Sequence, residues 1–192
     1  MRVSRAQAAE NRQKVIDVAS RLFRERGLDG IGLNDLMKGA GLTQGGFYKQ
    51  FESKEDLVAQ ACTRAIQTKL EQWSAIAEKD QEHPFAALIG FYLNLEHRDA
   101  LEDGCPLVAL GSDVGRHGSE VKAAFEAGIR AHLEILDRYM PVADGENPRK
   151  KSMAVLATMV GALLLSRIVS DETLSKDFLD SAQEEIQHIV TD

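Results

Sequence analysis

Apolar residues recur at three- and four-residue spacing along most of the chain, the pattern of helices that bury one face. Val15, Ala19, Leu22 and Phe23 mark a first helix over 8–26, with Gly27 placed to stop it. Leu33, Leu36, Met37 and Ala40 mark a second over 33–40, and Phe47 and Phe51 a third over 43–51. Leu57, Val58, Ala61, Ala65, Ile66, Trp73 and Ile76 line a long helix over 53–78; at its rise per residue it reaches about 37 Å. A polar break follows at 78–84. Further helices are predicted over 85–97 (Leu88, Phe91, Tyr92, Leu95), 107–114, 119–140 (Val121, Phe125, Ile129, Leu133, Leu136), 148–169 and 175–190 (Phe178, Leu179, Ile186, Ile189). That makes about nine helices. With only four prolines and few β-branched runs, the fold class is all-α.

The stretch LNDLMKGAGLTQGGFYKQFESKEDL, residues 33–57, carries the most information. Gly39-Ala40-Gly41 ends the second helix, because glycine accepts the left-handed conformation of helix termini. Thr43 is placed to cap the third helix, whose exposed face reads Gln44, Gly45, Tyr48 and Lys49. That face is small, polar and basic, which suits a phosphate backbone or a groove floor. Ser53 is placed to cap the long helix, with Asp56 at the reach-back position of a capping box. Two helices joined by a glycine turn make a helix-turn-helix, whose second helix enters the DNA major groove.

Gly27-Leu28-Asp29-Gly30, Asp35-Leu36, Gly41-Leu42-Thr43, Phe47-Tyr48, Phe51, Ser53-Lys54-Glu55 and Leu57 together resemble the DNA-binding signature of the TetR/AcrR family of transcriptional regulators. The likeness runs without a gap over 11–57, and the rest of the chain resembles the family in helical pattern alone. It implies a three-helix DNA-binding domain at 1–54 and a helical ligand-binding and dimerisation domain at 55–192. Carried over position by position, Thr43, Tyr48, Lys49 and Lys54 contact phosphate, and Gln44 and Gly45 face base edges. Gln pairs bidentately with adenine. Asn34 stands where the family often has a basic residue, and Gly32 where it has a Ser or Thr cap. The resemblance further implies a homodimer on near-palindromic operator DNA, acting as a repressor that a small molecule releases. The last two helices correspond to the family's dimer interface, with Met153, Leu156, Val160, Leu163, Leu164, Phe178 and Ile186 as its candidates. The segment 153–165 is apolar on nearly every face and needs a second packing partner.

The net charge of −7 sits uneasily with a DNA partner until its distribution is read. Residues 1–60 hold ten Lys and Arg against eight Asp and Glu, and the remainder holds thirteen against twenty-two. The acid therefore lies away from the helix-turn-helix in sequence. Arg2 and Arg5 mark 1–7 as a loose basic arm able to reach phosphate or the minor groove. Arg12, Lys14 and Arg21 lie off the apolar stripe and read as solvated surface. The N-terminus has no apolar core of a signal peptide, and the run 153–165 is shorter than a bilayer span, so the chain reads as cytoplasmic, with no membrane partner.

No nucleophile–base set, metal-ligand spacing or phosphate loop is present, so no enzyme, metal or cofactor is expected. Trp73, Phe91, Tyr92, Cys105, Phe125, His132 and Met159 are the candidates to line a pocket for a small apolar or cationic ligand. Cys105 falls at a predicted helix N-terminus, which favours thiolate, so a redox- or electrophile-responsive regulator is an alternative. Another is an interaction module whose helix-turn-helix no longer reads DNA.

Overall fold

Ser4 opens the first helix by accepting the amide of Gln7 on its side chain. In this computed structural model, which describes residues 4–143 and 145–191, α1 therefore runs from Arg5 to Arg26. The loose arm is shorter than expected: Arg5 is helical, and Arg2 lies outside the described residues. Gly27, at φ +78°, stops α1 with its amide on the Phe23 carbonyl. α2 (Leu33–Gly39) starts at Gly32 with no side-chain cap, as the missing hydroxyl predicts. It ends in a Schellman turn. The Leu42 amide donates to Met37 and the Gly41 amide to Lys38, with Gly41 at φ +71°.

A 3₁₀ helix, Gln44–Lys49, follows, then α3 (Lys54–Lys79). Ser53 Oγ caps α3 by accepting the Asp56 amide, while Asp56 reaches back to Glu52, one residue beyond the expected Ser53. The predicted helix over 85–97 is two helices, α4 (Pro84–Tyr92) and α5 (Leu95–Asp99). Asn94 divides them. Its Nδ2 donates to the Gly90 and Phe91 carbonyls, and its Oδ1 accepts the His97 amide. One side chain thus ends α4 and begins α5. α6 (Pro106–Val114) and α7 (Ser119–Tyr139) come next. α8 (Arg149–Ile168) begins where Asn147 Oδ1 accepts the Arg149 amide, so Pro148 precedes the helix. α9 (Glu172–Thr191) starts three residues earlier than expected, because Asp171 Oδ1 caps the amides of Thr173 and Leu174.

The chain forms two compact units, and the division differs from a cut after residue 54. One takes in the residues up to Gln67 together with Cys105–Ala127. Its core is built on Val15, Ala19, Phe23, Leu28, Leu36, Met37, Phe47 and Leu57, all buried. Within it Asp113 of α6 accepts the Leu28 amide at 3.0 Å and pairs with Arg116.

The other unit comprises Thr68–Gly104 with the chain from Gly128 onward. Trp73, Tyr92, Leu136, Val155, Met159, Leu163 and Ile186 are buried in it. α8 and α9 make its most extensive helix–helix contact. Arg98 binds Glu172 at 2.7 Å and Ser175 at 2.9 Å, and Arg167 donates to the carbonyls of His97 and Arg98. α8 is longer than the apolar run that marks it: at 20 residues it is long and apolar enough to cross a bilayer. Ser152, Val155, Leu156, Met159, Ala162, Leu163 and Ser166, at helical spacing, nevertheless give it a face buried in protein.

Candidate nucleic-acid interface

Two phenylalanines decide how the segment after α2 presents itself. Phe47 is wholly buried and Phe51 nearly so, stacked with centroids 5.3 Å apart. With those rings inward, Thr43, Gln44, Gly45, Tyr48 and Lys49 are all exposed. Tyr48 is 75% exposed, its ring edge-on to Phe47 at 5.1 Å. The small, polar and basic face anticipated from the sequence is therefore a solvent-facing surface. Asn34 of α2 is exposed as well, and Lys54 is half-buried at the start of α3.

The winding of this element departs from expectation. It is a 3₁₀ helix of six residues rather than an α-helix over 43–51, and the Thr43 side chain caps nothing. Gly46 donates to Thr43 and Gln50 to Phe47, both in the three-residue register. Gly45 and Gly46 each cost an α-helix about 1 kcal/mol relative to alanine, so packing of the phenylalanines chooses the winding. The Thr43 hydroxyl is left available to an outside partner.

Contacts distant in sequence brace this face, and local periodicity could not have revealed them. The Arg12 Nε–H donates to the Gln50 carbonyl at 3.1 Å, and its guanidinium lies 5.1 Å from the Phe51 ring centre. Arg12 is thus half-buried rather than solvated surface. Glu55, in the first turn of α3, accepts the Gly118 amide at 2.8 Å and lies 3.0 Å from His117 Nδ1. The Gly118 amide, then His117, hold the Glu55 carboxyl below its ordinary pKa. Asp29 stands 3.8 Å from the other His117 nitrogen. A cleft of about 240 Å³ lies beside the face, lined by Asn11, Met37, Leu42, Thr43, Lys49 and Gln50 among others.

The residues expected to share a ligand pocket divide between the two units. Cys105 and Phe125 belong to the first, and Trp73, Phe91, Tyr92, His132 and Met159 to the second. Trp73 packs edge-on to Tyr92 at 5.8 Å and to His132 at 4.8 Å, so these rings fill space with one another. Phe91 instead lines an open groove of about 780 Å³ with Ile76, Lys79, Asp80, Gln81, Glu82 and Ala87. Cys105 is buried at the start of α6 and is 2% exposed. Among the described residues, no three His, Cys, Asp or Glu side chains converge as a metal set.

The dimer candidates also divide. Met153 and Leu164 are exposed at 53% and 43%, whereas Leu163 and Ile186 are fully buried and Leu156 nearly so. These last three are buried within their own unit, where α8 and α9 pack together. Val160 and Phe178 are intermediate. Leu165, within the anticipated segment 153–165, is exposed too, as are Ile168 and Leu174 beyond it.

The outward polar face over inward phenylalanines is the arrangement of a helix-turn-helix domain. Residues 15–61 match the family described as bacterial regulatory proteins, tetR family. An HTH-type transcriptional regulator of Staphylococcus aureus (strain bovine RF122 / ET3-1) is 35% identical over 79 residues, 41% of this chain and 42% of that protein. The match thus spans less than half of that relative's length. The HTH-type transcriptional repressor NemR of Escherichia coli is 21% identical over 191 residues, 94% of each chain. The crystal structure of its reduced form superposes with a TM-score of 0.79 over 94% of this chain and 97% of that one. AibR, crystallised with isovaleryl coenzyme A and operator DNA, gives a TM-score of 0.62 at 13% identity, over 92% of this chain and 97% of AibR. These last two are likenesses of fold.

Proposed function

We propose that the chain is a cytoplasmic, homodimeric transcriptional repressor that binds operator DNA and leaves it when a small molecule binds. The observation that carries this reading is the joint exposure of Thr43, Gln44, Gly45, Tyr48 and Lys49 over buried Phe47 and Phe51. Thr43, Tyr48, Lys49, Asn34 and Lys54 supply hydroxyl, amide and ammonium donors to phosphate, and Gln44 with Gly45 reads base edges. The groove along Ile76 and Phe91, with Asp80 and Glu82 on its wall, suits a small apolar or cationic ligand. The exposed apolar residues of α8 suit a second subunit.

The test is fluorescence anisotropy with the protein's own upstream intergenic DNA and a scrambled duplex, at two salt concentrations. The expected result is binding that prefers the native duplex and weakens with salt. Tyr48→Ala should weaken it about tenfold, the scale of one lost phosphate or base contact, without lowering thermal stability, since the ring is exposed. Equal affinity for both duplexes, followed by failure to enrich any site from genomic fragments, would overturn the reading in favour of an interaction module. Peroxide-dependent release, absent from Cys105→Ser, would instead mark the thiol as the trigger.

A further inference from the structure

The recognition element is poorly held by its own hydrogen bonds. It is six residues long, contains two glycines, and has no side-chain cap at Thr43. Short 3₁₀ segments have weak hydrogen-bond geometry, so something outside must set their pose. At the far end the Gln50 amide closes the last turn on Phe47, and the Gln50 carbonyl receives Arg12 Nε at 3.1 Å. The same guanidinium lies over Phe51, 5.1 Å from its ring centre. A cation at a helix C-terminus is favoured by the backbone dipoles, and its position over the ring adds a second, directional contact. Arg12 is itself on a rigid base, one turn before the buried Val15 and Ile16 of α1.

We propose that Arg12 is the positioning residue for sequence reading. By tying the carbonyl at the end of the 3₁₀ helix to α1, it fixes how Gln44, Gly45, Tyr48 and Lys49 are presented. Arginine is required because one planar group must donate along Nε and lie against the ring at once; a lysine ammonium cannot do both. Arg12 falls outside the stretch 15–61 that matches the family. The inference rests on the DNA-reading function proposed above, and the experiment separates the two.

Duplexes are first selected from a random pool by the wild-type protein. Affinities for a selected and a scrambled duplex are then measured across a salt series for wild type, Arg12→Ala and Arg12→Lys. The expected result is a roughly tenfold loss of preference for the selected duplex in both variants, with scrambled-duplex affinity and salt slope unchanged. An equal loss on both duplexes with a slope smaller by about one would make Arg12 a direct phosphate contact and overturn the proposal. Unchanged preference in Arg12→Lys would overturn it as well. Arg12→Lys keeps charge and stem, so it serves if Arg12→Ala does not fold. If wild type selects no site, the regulator reading fails, and the tie is judged by amide hydrogen exchange of 47–51 in the free protein. Faster exchange in Arg12→Lys supports it; unchanged exchange overturns it.

Discussion

His97 and His132 are buried polar groups whose protonation the surrounding unit opposes. Burial, and then the positive charges of Lys69 and Arg167, push His97 down to about 4, against a contribution from the Tyr92 carbonyl that its Nδ1–H meets at 2.8 Å. Burial likewise lowers His132, opposed by its bond to the Gly128 carbonyl. For a base whose folded pKa is depressed, the unfolded chain takes up protons first as pH falls. Stability should therefore be level above pH 6.5 and decline from there to about 4. The decline due to His97 is on the order of 3 kcal/mol at roughly 1.4 kcal/mol per pKa unit. Glu55 acts in a lower window: its depressed carboxyl contributes stability above its ordinary 4.5 that is lost on further acidification. Urea midpoints at pH 7.5 and 5 measure the histidine effect. His97→Asn, which keeps a donor near the Tyr92 carbonyl, should narrow the gap between them; an unaltered gap would show that His97 is not its source.

Among the elements, two depart from the expected helices for different reasons. Asn94 interrupts what would be a continuous helix because its amide satisfies two α4 carbonyls and an α5 amide together. Asn94→Ala strands all three groups. A loss of about 1–2 kcal/mol is expected, the scale of a lost helix cap, and calorimetry would read it as a lower Tm. A Tm within error of wild type would mean that water or a continuous helix replaces the caps. The recognition element departs for the opposite reason. Its glycines leave local preference weak, so the stacked Phe47 and Phe51 decide its winding.

At the scale of the whole molecule, α8 presents apolar side chains on more than its core face. One of its faces is core, yet Met153, Leu164, Leu165 and Ile168 remain exposed beyond it, with Leu174 of α9. Apolar exposure on this scale is a feature of surfaces that meet a partner. A homodimer places two recognition elements on one duplex about 34–36 Å apart, the spacing of successive major grooves. Leu164→Arg should weaken self-association about a hundredfold, the effect of a charge at an interface centre. Sedimentation should then show a monomer with unchanged helix content. A wild-type protein that sediments as a monomer at micromolar concentration would refute the dimer.

The helical class, the stops at Gly27 and Gly41, the Ser53 cap and the outward polar face beside Phe47 and Phe51 were all legible in the sequence. Each depends on residues within about one or two helical turns of one another, where spacing, capping and glycine conformation act directly. The same locality limits what the sequence says of Leu163 and Ile186. An apolar stripe reports that a face is buried but not against what, and these two side chains are already buried within a single chain. The split at Asn94 rests on caps within four residues of it, a local signal that apolar spacing does not carry; the 3₁₀ winding, the Arg12–Gln50 tie, the Glu55–His117 contact and the division into two compact units were settled by tertiary structure. They join groups tens of residues apart, such as Arg12 with Gln50 and Glu55 with His117, or turn on packing that outweighs weak local preference. The chain's own pattern thus determined which residues form the outward polar face, while contacts between distant segments decided how that face is braced.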